Sequence, residues 1–264
     1  MSLNPHYMDI TTEAGEQALQ ALDRSGEYVA EPKINGRWVC VTARGGRTTA
    51  TTRSGKPLNL VLPPLPDCIL IGECTLGTSC AVLKAEVAVA GHDLVYIFDA
   101  VAIGQNEVGD LPLMQRRAAL QAFVDGFRPS MAAWFRLVPQ WSDEFQRHFA
   151  EQPEGLVVKL RTDGRYRSGR TNSLWCKVKH WRTADLVAMD ATFSDADPGV
   201  QPELLAVDLG LYNPATGALV RLGSVGSFHG STRTELTDIF CADDCAMAVV
   251  EIKCRSVNRS GILN

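Results

Sequence analysis

The segment Glu31-Pro32-Lys33-Ile34-Asn35-Gly36 most constrains what this chain can fold into. It sets a lysine at the end of a short apolar run, Tyr28 to Pro32, and a glycine three residues later. The Asn35-Gly36 pair reads as a tight turn that holds the lysine backbone fixed. Arg37 to Ala43 then alternates and is β-branched, Gly45-Gly46 reads as a two-residue hairpin turn, and Thr48 to Thr52 returns. Such a series can bury its apolar residues only as antiparallel sheet.

The same reading continues along the chain. Residues 12 to 26 predict a short helix, with Ala14, Ala18, Leu19 and Leu22 on one face and Gly26 as the stop. Cys68 to Cys74 predicts a buried strand carrying Glu73 near its end, and Leu94 to Val101 another, containing Phe98 and Asp99. Ala81 to Ala90 fits neither period well. Leu113 to Phe123 and Ser142 to Glu151 predict helices, and Gly155 to Leu160 and Ser173 to Lys179 predict strands. Beyond Ala184 the best strands are Leu186 to Thr192, Leu204 to Leu211, Leu219 to Val225 and Ala246 to Cys254, with a turn at Asn213 to Gly217. Several short strands in that length suit a small barrel such as an OB-fold.

Charge divides the chain where the strands change character. Lys159 to Arg182 holds eight basic residues (Lys159, Arg161, Arg165, Arg167, Arg170, Lys177, Lys179, Arg182) and one acid, Asp163. Asp185 to Glu251 holds eleven acids against Arg221 and Arg233. A boundary is therefore expected near 181, giving domains 1–181 and 182–264. A net charge of −4 argues against a general nucleic-acid coat. No apolar run approaches bilayer-spanning length, which predicts no membrane partner. The N-terminus lacks a secretory signal, so a cytoplasmic, intracellular protein is expected. The eight cysteines are scattered and read as reduced, buried small hydrophobes; Cys241 and Cys245 have no second pair or nearby histidine to complete a zinc site.

Several residues could carry chemistry. A lysine attacks well only when part of it is neutral, and neighbouring cations or a metal favour that form at Lys33; an ordinary surface lysine in a hairpin fits the segment too. Trp175, Lys177 and Lys179 alternate, so in a strand they share a face that suits a polyphosphate or a nucleic-acid backbone, or that only keeps an edge strand soluble. Glu154 precedes an apolar strand, with Lys159 five residues on. By strand period these two oppose, unless Glu154 lies in the preceding turn. A carboxylate there is a candidate Mg²⁺ ligand. Glu73, at the end of a buried strand, asks for a partner: a ribose hydroxyl, a metal, or a structural arginine. Phe98 could stack on a base or belong to the core.

Taken together and in order, these segments resemble the covalent nucleotidyltransferase superfamily, and within it the ATP-dependent DNA ligases of minimal viral or bacterial type. Lys33-Ile34-Asn35-Gly36 resembles its lysine-x-aspartate-glycine motif, and Thr52-Arg53-Ser54-Gly55 the arginine loop that follows. Ile71-Gly72-Glu73 and Phe98-Asp99 resemble its central motifs, Glu154 to Lys159 its glutamate-glycine motif, and Trp175 to Lys179 its paired lysines. The helix carrying Arg116 and Arg117 is similar as well. Leu219 to Gly226, Val249 to Ile252 and Ser260 to Leu263 resemble the ligase OB domain.

The resemblance implies an α+β fold: a nucleotidyltransferase (adenylation) domain of antiparallel sheets flanked by helices, followed by a small β-barrel OB-fold domain. It implies a monomer that uses ATP and Mg²⁺, or Mn²⁺ in its place, to seal nicked double-stranded DNA, which could contain RNA. Lys33 would form a lysyl-AMP, with Lys177 and Lys179 on the α-phosphate. Glu154 would hold the metal, aided by Glu73. Arg53 and Glu73 would hold phosphate and ribose. Glu31 would lie at the adenine edge and Ile34 beside the nucleotide. Phe98 would stack on the base, and Lys159 would lie on its other face or near the phosphate.

Three departures qualify the likeness. Asn35 replaces the aspartate of DNA ligases, which is more at home among RNA ligases. Arg37 lies one position early. No arginine-x-aspartate-lysine occurs before Asn264, which leaves a truncated chain, substitution by Lys253, Arg255 or Arg259, or an impaired first step. A ligation-deficient nucleic-acid-binding protein is the rival reading.

Overall fold

The computed structural model describes residues 6–10, 12–78, 80–162, 165–166, 171–180, 182–195, 202–228, 231–241 and 248–254. The chain divides into two compact units, Met1–His180 and Trp181–Asn264. Both mix helices with largely antiparallel sheet, an α+β architecture. No described helix is long and apolar enough to cross a membrane.

The first unit opens with strand β1 (His6–Ile10) and helix α1 (Thr12–Ser25). Next come β2 (Tyr28–Pro32), β3 (Arg37–Arg44) and β4 (Arg47–Thr51). Gly45 and Gly46 join the last two at φ 55° and 78°, the left-handed pair that a two-residue hairpin turn needs and that side chains resist. After β5 (Cys68–Cys74) the segment with no clear period is a helix, α2 (Ala81–Ala90). Then follow β6 (Val95–Ile103), β7 (Asn106–Glu107), α3 (Leu113–Asp125) and α4 (Pro129–Ala132). The unit ends with β8 (Phe135–Leu137), α5 (Phe145–Glu151), β9 (Gly155–Leu160) and β10 (Thr171–Lys179).

These strands form two sheets, one in the order β1-β10-β9-β2 and one in the order β4-β3-β5-β6-β7, with β8 added alongside β6. Between them lies a core to which the first sheet gives Val29 and Trp175 and the second gives Trp38, Cys40, Ile71, Tyr96 and Phe98. The outer face of the first sheet is covered by α1 and α5 through Leu19, Phe145 and Phe149. The outer face of the second packs Val39, Val41, Leu70 and Ile97 against Leu120 of α3. One buried ion pair ties that helix to its sheet. Arg116 Nε and Nη2 each donate to Asp99 at 2.8 Å, and Nη1 donates to the Leu111 carbonyl at 2.6 Å.

The second unit comprises β11 (Arg182–Phe193), β12 (Leu204–Tyr212), β13 (Leu219–Val225), α6 (Thr232–Cys241) and β14 (Val249–Cys254). Its strands make an antiparallel sheet in the order β13-β12-β11-β14, over a core of Leu186, Leu204, Val207, Leu209 and Leu236. Asn213 Oδ1 accepts from the Ala215 N–H at 2.8 Å, fixing the predicted turn. Helix α6 was not expected from the sequence.

Among the described residues Cys40, Cys68, Cys74, Cys80, Cys176 and Cys241 are free thiols. Asp163, Arg167, Arg170, Cys245, Arg255, Arg259 and Ser260 to Leu263 lie outside the described residues, as do the side chains of Arg182, Lys253 and Cys254.

Candidate active site

The site is built from rows that cross three neighbouring strands. Val29, Lys159 and Trp175 are in register, as are Glu31, Val157 and Lys177. Opposite residues of an antiparallel pair share a face, and alternate residues of a strand return to it. The next row is therefore Lys33, Gly155 and Lys179: Lys179 pairs with Gly155, and the Lys33 N–H donates to the Gly155 carbonyl at 2.9 Å. The nucleophile candidate and one of the paired lysines are thus separated by a single residue that has no side chain.

Only glycine fits there. Its φ is 99°, and a Cβ would lie 2.1 Å from the Val178 carbonyl oxygen. The Glu-Gly pair of the sequence is therefore a backbone requirement, and it places Glu154 in the bend just before β9. From there Glu154 Oε2 lies 3.7 Å from Lys33 Nζ, and Asn35 Nδ2 donates to Oε1 at 2.7 Å.

The second sheet closes on the same loop. Glu73 Oε2 accepts from the Gly36 N–H at 2.8 Å, and Thr78 Oγ1 donates to the Asn35 carbonyl at 2.7 Å. Burial pushes the Glu73 carboxyl up to about 7. Lys33, the Gly36 N–H and Arg53 pull it down, and Glu154 pushes it further up. Two carboxylates and two cations therefore feel one another here. Arg53, in the loop after β4, lines a cavity of about 570 Å³ with Gly36, Arg37, Trp38, Thr52, Ser54 and Glu73. Ile34 is half-buried against the inter-sheet core.

A second cluster lies in the floor. Lys159 Nζ is 2.6 Å from Glu31 Oε2, and both side chains are almost wholly buried. Gln140 Nε2 donates to the other Glu31 oxygen at 2.6 Å, and Lys159 donates to the Phe98 carbonyl at 3.5 Å. The ammonium sits 4.8 Å from the Phe98 ring centroid and 4.3 Å from that of Trp175. Lys159 therefore lies against a face of Phe98 and is held there by Glu31. Glu31 is occupied by Lys159 and Gln140. Buried charges require such complete partnering, because an unpaired ion in the interior is strongly destabilising.

Lys33, Glu154, Glu73 and Arg53 are thus brought together, and Lys177 and Lys179 belong to the same face of the first sheet. Asn35, Thr78, Gln140 and Gly155 were not picked out as site residues. The Glu-Gly pair signals the last of these, while Thr78 and Gln140 carry no sequence signal of their own. Among the described residues no group of three or more His, Cys, Asp or Glu side chains could hold a metal unaided. Glu154 with Glu73 fits the one or two carboxylates that magnesium uses alongside substrate phosphate.

Comparison with known proteins sets this geometry beside named relatives. The model of the ATP dependent DNA ligase domain matches residues 75–179. DNA ligase C1 of Mycolicibacterium smegmatis is 28% identical over 241 residues, which is 81% of this chain and 67% of that protein. A probable DNA ligase of Nocardia farcinica is 33% identical over 249 residues, 78% of this chain and 46% of that protein. The chain spans about half the length of most of these curated relatives. Among solved structures, a Lig E DNA ligase superposes with a TM-score of 0.61 at 16% identity, covering 90% of each chain. The ligase domain of LigD from M. tuberculosis gives 0.53 at 16% identity, over 98% of this chain and 91% of that one. At these identities the structural likeness is one of fold, and the sequence matches carry the comparison: residues 75–179 match the ATP dependent DNA ligase domain, and most of the chain is similar to proteins named DNA ligases.

Proposed function

We propose that this protein seals nicked duplex DNA with ATP, through an adenylate carried covalently on Lys33. The observation that supports it best is the row Lys33-Gly155-Lys179 with Glu154 beside it. An amine, a cation one strand pair away and a carboxylate flank one glycine of the sheet. The relatives named DNA ligases supply the nucleic acid in this reading.

In the first step the neutral Lys33 amine attacks the α-phosphorus of ATP. An N–P bond forms, the bond to the bridging oxygen breaks, and pyrophosphate leaves with the electron pair. The 5′-phosphate at the nick then displaces lysine from the adenylate. Finally the 3′-hydroxyl attacks that phosphate and AMP leaves. Little covalent chemistry falls to the protein, so charge placement dominates. Lys177 and Lys179 stabilise the negative charge that grows on the α-phosphate. Arg53 and Glu73 hold phosphate and ribose at the mouth of the second sheet. Glu31, Phe98 and Lys159 form the rigid floor for the base, bordered by Ile34. Glu154 and Glu73 are the ligands in reach of a Mg²⁺ or Mn²⁺ ion, which would neutralise phosphate charge when bound. Residues 182–264 act as a small OB-fold module on the duplex, and the working form is a monomer.

A nick-sealing assay tests this. A 5′-phosphorylated nicked duplex with ATP and Mg²⁺ should be joined by the wild type and not by Lys33→Ala. Joining that survives the substitution would remove Lys33 from the chemistry. Replacing the DNA strands at the nick with RNA tests the second reading, RNA sealing, which Asn35 favours.

A further inference from the structure

One side-chain contact of the Lys33 loop reaches the carboxylate beside the nucleophile and is not used in the nucleotidyl-transfer steps above. Asn35 Nδ2 donates to Glu154 Oε1 at 2.7 Å, while Lys33 Nζ stands 3.7 Å from the other oxygen, Oε2. The first is a strong hydrogen bond to a charged acceptor; the second is an ion pair outside hydrogen-bond range. That bond ties one end of the carboxylate and restrains how far the other oxygen can swing toward Lys33.

The surroundings leave the Asn35 amide in control of that carboxylate. The Asn35 carbonyl is held by Thr78 Oγ1 at 2.7 Å, and the next N–H by Glu73 at 2.8 Å. The Lys33 N–H is tied to Gly155 at 2.9 Å, and the backbone next to Glu154 is locked at φ 99°. With both backbones pinned, the remaining freedom is the rotation of the Glu154 and Lys33 side chains, and the Asn35 amide restrains the first of them. Left alone, a carboxylate and an ammonium this close would close to a direct pair at about 2.8 Å. The amine would then have to break that contact before it could attack.

We propose that Asn35 is a positioning residue for the nucleophile: its amide holds Glu154 near enough to orient Lys33 and too far away to grip it in a direct ion pair. This deepens the reading of Lys33 as the nucleotide acceptor and rests on it. It also gives a physical use to the asparagine that replaces the related aspartate.

Crystal structures of Asn35→Ala and Asn35→Ser, beside the wild type, are the direct test. In both variants a Glu154 oxygen should close on Lys33 Nζ, from 3.7 Å to about 2.8 Å. Single-turnover AMP transfer supplies the kinetic arm. Asn35→Ala should lower the maximal rate by roughly ten- to a hundredfold, the order that a misplacement of about 1 Å can cost. The ATP concentration for half-maximal rate should stay unchanged, which a general loss of structure would not produce. If Asn35→Ala does not fold, Asn35→Ser is read on both arms. The proposal is overturned if the 3.7 Å separation persists in the variants, or if the loss lies wholly in ATP half-saturation. A wild type that takes up no AMP would sink the functional reading, and the structural arm would still decide the role of Asn35.

Discussion

Lys33 and Lys179 stand in one row on either side of Gly155, and the proposed chemistry draws on the charge of that row. Replacing Lys177 or Lys179 by alanine should slow AMP transfer by roughly two orders of magnitude, the usual cost of removing one preorganised stabilising group. Near-normal transfer in both variants would reduce them to solubilising charges. Glu73 yields a pH prediction. Its carboxyl is raised from 4.5 to about 7, chiefly by burial. Between those values the folded protein keeps a proton that the unfolded chain has released, so stability falls as pH rises through that window. Urea midpoints measured without divalent cation from about pH 5 to pH 8 should therefore fall less in Glu73→Gln than in the wild type. Equal declines would mean that Glu73 contributes nothing to the slope.

At the level of elements, the Asp99–Arg116 pair clamps α3 onto β6 and is wholly buried. Breaking it with Asp99→Ala strands an arginine in the interior and should cost about 3–5 kcal/mol of stability. A loss below about 1 kcal/mol in urea unfolding would place the pair in the class of weak surface bridges. Gly155→Ala should be lost to both folding and sealing, because its Cβ has no room beside Val178.

The elements also show what the sequence could reveal. Tyr28–Pro32, Cys68–Cys74, Gly155–Leu160 and Leu219–Val225 have the predicted bounds, because apolar runs between turn residues leave little choice. Helix α2 was ambiguous because Ala-Val-Leu-Lys-Ala-Glu-Val-Ala-Val-Ala mixes helix-forming alanine with β-branched valine and buries only Leu83. Helix α6 was lost in a stretch read as strands. Within the site, residue types pointed to Lys33, Glu73 and Glu154. The partners lay beyond local pattern: Asn35 meets Glu154 across 119 residues, and Glu31 meets Gln140 across 109. The family resemblance put Lys159 on the other face of the base or near the phosphate, and its buried partner Glu31 carried no local sign in the sequence.

Over the whole molecule, the densest run of cations is residues 159–182, with eight bases and one acid, and acids outnumber bases beyond it. Binding to nicked duplex should therefore weaken steeply with salt, with a log–log slope of roughly −0.9 for each phosphate neutralised. A flat response in anisotropy titrations would mean that the basic segment does not meet the DNA backbone.

The central claim is that Lys33 carries the adenylate, and intact mass after incubation with ATP and Mg²⁺ tests it most directly. The wild type should gain one AMP and Lys33→Ala none. An adduct that persists in Lys33→Ala would contradict the account. So would a wild type that gains no adduct and also fails to seal a nick supplied already adenylated.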